Sequence, residues 1–246
     1  RDEPFTPVDL LEFKTFSSMQ IAFFWLAMQY GMSMLFVGGT ASGKTTSLNA
    51  CSLFLPWQHK IVSIEETREL NLPHPNWIPG CTRQGFGGES AGSGEKAAGE
   101  VDMYDLLRAA LRERPEYIIV GEIRGAEAYV LFQAMATGHT TYSTFHADSI
   151  QSLVHRLENK PIEIPRVLIP ALDGISIQIQ TRVGGKRVRR NKGIIEIIGI
   201  DPHSHELLTN EAFRWDNTVD EFVFTGKSYI FEKIMMKANL NRVEIM

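Results

Sequence analysis

Phe36-Val37-Gly38-Gly39-Thr40-Ala41-Ser42-Gly43-Lys44-Thr45-Thr46 decides how this chain is read. Gly38 to Thr45 fits the pattern GxxxxGK[ST], with an apolar run on its N-terminal side and a helix-length segment on its C-terminal side. Strand, glycine-rich loop and helix in that order form a cradle for phosphate. The glycines let successive backbone N–H groups turn inward, the new helix offers its positive end, and Lys44 reaches the outer phosphates. Thr45 carries the hydroxyl suited to Mg2+, and Thr46 completes the first turn. Binding candidates are therefore Gly38, Gly39, Thr40, Ala41, Ser42, Gly43, Lys44, Thr45 and Thr46.

Outward from the loop, short apolar runs alternate with amphipathic segments. Strands are expected at 34–37, 61–64, 117–120 and 141–145, and helices at 44–55, 101–112, 126–136 and 149–158. That alternation predicts an α/β fold with a mostly parallel sheet. Residues 1–16 read as a lead-in in which Thr6, Pro7 and Asp9 start a short helix. Met19 to Val37 has no charged residue and imitates a membrane span. Ser17 with Gln20 makes a helix-start box and Gly31 a helix stop, so the stretch divides into a helix and a buried strand, leaving no transmembrane segment. Residues 85–99, rich in Gly, Ser and Ala, read as a long surface loop, a lid or mere slack. After Pro170 the pattern becomes a β-meander, with strands at 175–183, 188–200 and 207–215, closed by a helix at 228–237.

Hydrolysis needs more than a cradle: one group must orient water and another must anchor a metal. Glu65, Glu66 and Glu69 follow one strand and Glu122 follows another, both at C-terminal strand ends, where open α/β sheets bind ligands. Glu69 and Glu122 are the leading candidates, Glu122 together with Thr45 for the metal. His139 and His146 bracket the strand 141–145 without the spacing of a compact metal motif. Arg83, Arg112, Arg114 and Arg124 are candidates to complement phosphate charge. His203 and His205 are read as turn residues. Lys186-Arg187-Val188-Arg189-Arg190-Asn191-Lys192 is read as a solvated hairpin, with contact to a phosphate backbone as the sharper alternative.

Composition sets the limits. With 246 residues, 43% hydrophobic and 22% charged, the chain is globular, and its net charge of -4 makes nucleic acid an unlikely partner. Two cysteines, Cys51 and Cys81, give no CxxC pair, fitting a reducing compartment and no zinc site.

Taken in order, four boxes resemble the motor domain of the type II/type IV secretion ATPase superfamily: the phosphate loop, Ile64-Glu65-Glu66-Thr67-Arg68-Glu69-Leu70, Tyr117 to Arg124, and Ala136 to His146. Gly185-Lys186-Arg187-Val188-Arg189-Arg190 and Gly199-Ile200-Asp201-Pro202 resemble its archaeal secretion and pilus-assembly branch, close to the archaellum motor ATPase. The resemblance implies a RecA-like core over 17–174, with the meander and helix of 175–246 in the same motor domain. It implies ATP and Mg2+ as cofactors and a homo-hexamer on the cytoplasmic side of a membrane-embedded secretion or pilus platform. It also implies that Glu69 activates water, Glu122 serves Mg2+, and His139 and His146 sense the terminal phosphate. Two departures stand out: the acidic box has Glu65-Glu66 where many relatives have Glu-Asp, and the tetracysteine zinc element of many bacterial members is missing. The N-terminal domain of such proteins is expected to be absent from this stretch, which begins at Arg1, and turnover in isolation is expected to be weak. Two other functions compete: a nucleotide-dependent nucleic-acid translocase and a nucleotide-gated scaffold that does not hydrolyse.

Overall fold

A computed structural model describes residues 4–85 and 97–241. Strand β1 (Met34–Gly38) shows why a nearly continuous apolar run becomes the centre of this fold. Met34 and Phe36 join the core on one face, Leu35 and Val37 the core on the other, and all four are fully buried. A strand apolar on both faces needs helices on both, and that arrangement goes with parallel pairing.

In chain order the further strands are β2 (Ile61–Glu65), β3 (Trp77–Cys81), β4 (Tyr117–Glu122), β5 (Thr140–Phe145), β6 (Gly174–Val183), β7 (Lys186–Ile200), β8 (Leu207–Asp216) and β9 (Glu221–Phe224). They form one sheet ordered β3-β2-β4-β5-β1-β6-β7-β8-β9. Pairing is parallel from β3 through to β6 and antiparallel beyond it. Strand β6 is shared, lying parallel to β1 on one side and antiparallel to β7 on the other. The meander thus extends the parallel sheet instead of forming a second one.

The helices are α1 (Pro7–Glu12), α2 (Ser18–Gln29), α3 (Lys44–Cys51), α4 (Met103–Arg112), α5 (Glu127–Ala136), α6 (Ile150–Glu158) and α7 (Tyr229–Ala238). Residues of α1, α2, α3 and α7 pack in one core, those of α4, α5 and α6 in the other. The predicted starts of α1 and α2 are capping boxes in which Thr6 pairs with Asp9 and Ser17 with Gln20. Helix α2 buries Phe23, Phe24 and Met28 completely, each contributing about 1.5–3 kcal/mol. Its 12 residues span about 18 Å, too short for a bilayer, and no helix among the described residues is long and apolar enough to cross a membrane.

Two strands are additions to the sequence reading. β3 carries Pro79 and Gly80, tolerated because it is the sheet's edge strand. β9 is only 4 residues long, at the opposite edge. Of the loop expected over 85–99, residues 86–96 lie outside the described residues. His203 and His205 sit in the turn before β8, where the Asp201 carboxylate accepts from the backbone N–H groups of His203 and Ser204.

Candidate functional site

The loop leaves the sheet where a side chain would not fit. A Cβ at Gly38 would lie 2.3 Å from the carbonyl oxygen of Gln178 on the neighbouring β6. The curl that follows is tied to one carbonyl, Gly39 O, which accepts from Ser42 Oγ at 2.8 Å and from Lys44 Nζ at 3.0 Å. Gly43 then enters α3 with φ +93, a conformation that strains any L side chain. It supplies no side-chain cap, so the first N–H groups of α3 remain available to an anion. Burial pushes the Lys44 ammonium below its ordinary pKa, and the nearby Glu122 and Glu69 carboxylates oppose that shift.

The acids arrive from two adjacent strands. β2 ends in Glu65, buried at 2% exposure, whose Oε1 accepts from the backbone N–H groups of Glu69 and Leu70 at 2.9 and 3.0 Å. That carboxylate fixes the turn presenting Glu69. Its Oε2 is buried without a partner, and burial raises its pKa while the two backbone donors pull it back. On β4 the register slips between Val120 and Glu122, a bulge that re-aims the strand end, with Glu122 opposite Thr144. Lys44, Thr45, Glu65, Glu66, Glu69 and Glu122 line one cavity of about 250 Å³. Mg2+ characteristically takes one or two carboxylates and completes its shell with water and substrate phosphate oxygens. The Thr45 hydroxyl and the Glu122 carboxylate are the hard oxygen donors that pattern needs, and they line the same space.

The remaining candidates separate. Arg124 follows Glu122 at this edge and pairs with Glu66, and Arg124 also lines the acid cavity. Arg83 lies just past the C-terminal end of β3, where its Nε donates to Gly99 O at 2.9 Å. His146 follows the C-terminal end of β5, on the acid edge but outside the two cavities described here; its carbonyl accepts from Arg156.

His139, Arg112 and Arg114 require correction as members of this chain's site. His139 precedes β5 and so stands at the opposite sheet edge, about 20 Å away at 3.3 Å per residue. It lines a different cavity there, with His59 and Tyr117. Arg112 ends α4, and Arg114 follows it on the turn leading into the N-terminal end of β4, where Lys60 Nζ donates to Glu113 O at 3.0 Å. Proximity in sequence to a site strand was misleading, because each of these residues sits at the wrong end of its strand.

What sequence reasoning missed is the contribution of the meander. Arg189 Nε donates to Ala41 O, in the phosphate loop, at 2.9 Å. Gln180, with its amide nitrogen turned to the loop, donates to the same oxygen at 3.1 Å and accepts from Arg187 Nε at 3.0 Å. The basic run is therefore not simply a solvated hairpin. Arg187 and Arg189 line a second cavity, of about 620 Å³, with Lys44, Thr45 and Glu69, and Phe5, Leu10 and Phe13 form its apolar wall. Arg190 is buried and paired with Asp220. The alternation of basic residues after Gly184-Gly185 was the available signal, but its target depends on β6 lying beside β1.

Comparison with known proteins places the family and the fold. Residues 5–243 match the family described as Type II/IV secretion system protein. An uncharacterised protein of Methanocaldococcus jannaschii is 44% identical over 97% of this chain and 86% of its own length. The type IV secretion system protein PtlH of Bordetella pertussis is 34% identical over 68% of this chain and 51% of its own length. Among solved structures, the VirB11 ATPase of the Brucella suis type IV secretion system, in complex with sulphate, is 26% identical with a TM-score of 0.58. That match covers 78% of this chain and 56% of VirB11, so the chain spans little more than half of these last two proteins. Family match and fold agree with the resemblance read from the four boxes, and the chain belongs to the type II/IV secretion system protein family.

Proposed function

We propose that the chain is the motor domain of a hexameric ATPase that hydrolyses Mg-ATP to drive type II secretion or assembly of a type IV pilus- or archaellum-like filament at the cytoplasmic face of a membrane. The observation carrying this reading is the convergence of the phosphate loop with acids from two strands on one cavity, in a chain that matches the family along nearly its whole length. Lys44 and the N–H groups at the start of α3 bind the outer phosphates. Thr45 and Glu122 hold Mg2+, which when bound neutralises charge building on the phosphates. Glu69, presented by the Glu65-anchored turn, orients the attacking water and takes its proton. His146 is the histidine left at this edge to report on the terminal phosphate, and Arg124, lining the acid cavity, is held by Glu66 until nucleotide competes for it.

No cationic group of this chain beyond Lys44 and Arg124 lines the acid cavity among the described residues. Completion by a neighbouring subunit or by further chain follows, and so does weak turnover of the isolated chain. Turnover of Mg-ATP per subunit, measured over a wide range of protein concentration, tests this. The expected rate rises with concentration and disappears in Lys44→Ala; a flat rate from a monomeric sample, or an active Lys44→Ala variant, rejects the ring-motor reading. The nucleic-acid translocase draws less support, since Arg190 is buried and Arg187 and Arg189, though exposed, line the larger cavity beside the phosphate loop. A scaffold without hydrolysis is rejected if Glu69→Gln keeps nucleotide affinity and loses turnover.

A further inference from the structure

The acid cavity and the larger one beside it share Lys44, Thr45 and Glu69. A polyphosphate seated on the loop puts its outer end among the acids, so the rest of the molecule runs into the larger cavity. That cavity changes character along its length. Past Thr46 and Ser47 its wall becomes apolar, built from Phe5, Leu10, Phe13 and Val188. Its volume of about 620 Å³ is in the range of small-molecule sites, and an inorganic phosphate chain has no use for an apolar end.

The two sides of this end are fixed to each other. The Arg189 arm crosses over Gly43, its Cδ 3.0 Å from where a Cβ would stand there, and its Nε is held by Ala41 O. Phe13 lines the same cavity and is 52% exposed, with its ring edge-on to Phe5 at 5.4 Å. Arg190 Nη1 donates to Phe13 O at 3.1 Å, and Asn191 N donates to Thr15 O at 2.8 Å. One strand therefore carries the guanidinium and also anchors the segment bearing the aromatic ring. An aromatic ring and a guanidinium lining one cavity can take a flat π-system between them.

The side chains of the apolar wall, Phe5, Leu10, Phe13 and Val188, carry no group that tells one base from another. Among the described residues lining the cavity there is no Asn, Gln or Asp; its hydroxyls are those of Thr45, Thr46 and Ser47 in the first turn of α3 and of the buried Thr15, and its one carboxylate, Glu69, is at the shared acid end. Sites that discriminate strongly among polar ligands do so with buried hydrogen-bonding groups that the wrong ligand leaves unpaired. From these observations, and resting on the reading of the loop as a nucleotide site, we infer that the chain holds the base of its nucleotide by stacking between Phe13 and Arg189 without reading the base edge. It accepts purine nucleoside triphosphates as a class.

Equilibrium binding of ATP, GTP and inorganic tripolyphosphate to this chain, at one Mg2+ concentration, tests the inference. ATP and GTP are expected to bind within about fivefold of each other. Both are expected to bind about 5- to 150-fold more tightly than tripolyphosphate, the gain from one stacked base. Phe13→Ala should lower ATP and GTP affinity toward the tripolyphosphate value and leave tripolyphosphate itself unchanged, which also reports that the loop is still folded. Phe13→Leu keeps the apolar bulk and removes the aromatic face, and it should lose most of the same gain; Phe13→Tyr should retain it. A preference of ATP over GTP beyond about 50-fold would overturn the inference. So would an advantage of ATP over tripolyphosphate that survives both Phe13→Ala and Phe13→Leu. Equal affinity of all three ligands removes the base slot alone, whereas absence of binding by any of them removes the nucleotide reading beneath it.

Discussion

The two halves of the sheet are built differently, and the proposed chemistry falls on one of them. From β3 to β1 the strands are parallel, and β1 and β2 are buried along their whole length. In the antiparallel half, β8 mixes exposed with buried residues and β9 alternates exposed with half-buried ones, and each is reached by a turn instead of a helical crossover. Parallel crossovers put all C-terminal strand ends on one edge, so residues far apart in sequence, Lys44, Glu69 and Glu122, meet there. Hairpins cannot gather groups in that way. What the antiparallel half offers is a rigid arm: β6 and β7 carry Gln180, Arg187 and Arg189 to the phosphate loop from outside.

The largest expected effect tests whether the two halves are one folding unit. Phe213 of β8 is buried against Phe23 of α2, ring centroids 5.5 Å apart, and against Phe224 of β9. Phe213→Ala should cost about 3–5 kcal/mol, with one cooperative denaturant transition reported equally by tryptophan fluorescence and far-UV dichroism. Two separated transitions would show that the meander is an appendage.

Next in size is Glu69→Gln, which keeps the side chain's shape and removes the proton acceptor. Turnover should fall about 10²- to 10⁴-fold, with ATP affinity within a few-fold of the parent and thermal stability unchanged. A variant that turns over at more than a tenth of the parent rate would move the water-activating role to another acid.

Gly38→Ala acts at the seam itself, between β1 and β6. The added methyl would meet backbone, Gln178 O, and not the end of a flexible side chain, so the strands must part or the loop must move. The expected cost is about 1–3 kcal/mol of stability, together with weakened binding of tripolyphosphate. Unchanged binding and stability would mean that the loop exits the sheet along another path.

How much of this was legible in the sequence follows from the same contrast. The phosphate loop, its strand and its helix were readable because their signals are local: glycines, an apolar run and a capping pattern within a few tens of residues. The acids were readable as strand-end residues, since chain direction in a parallel sheet tells which end is which. That rule, applied strictly, also separates His146 from His139, which begins the same strand at the far edge. Arg187, Arg189 and Phe13 were not readable as cavity residues. Their place depends on β6 pairing with β1, more than 130 residues earlier, and on α1 packing beside α3. β3 was hidden by Pro79 and Gly80, which local propensity counts against a strand and an edge position permits.

The last expected effect, of similar size to that of Gly38→Ala, joins the halves through one ion pair. Arg190 is 4% exposed and donates to both Asp220 carboxylate oxygens, at 2.7 and 2.8 Å, while its Nη1 holds Phe13 O. The Arg190 guanidinium, with help from the Trp215 indole N–H, holds the Asp220 carboxyl below its ordinary pKa. A carboxylate whose folded pKa is depressed stabilises the fold above its unfolded value, near 3.9, and that contribution is lost as pH falls through the folded value. Asp220→Asn should therefore cost about 1.5–3 kcal/mol at pH 7, and the gap to the parent should narrow below about pH 4. Glu158, Asp201 and Asp216 are also depressed, so acid weakens both proteins, and only the difference between them reports on this pair. Urea midpoints at pH 7, 5 and 3 supply it; a gap that is constant with pH would mean that Asp220 acts by shape and not by charge. Since Arg190 also anchors the Phe13 segment, the acid that frees it should loosen the apolar wall of the larger cavity, linking the outer strands of the meander to the site on the parallel edge.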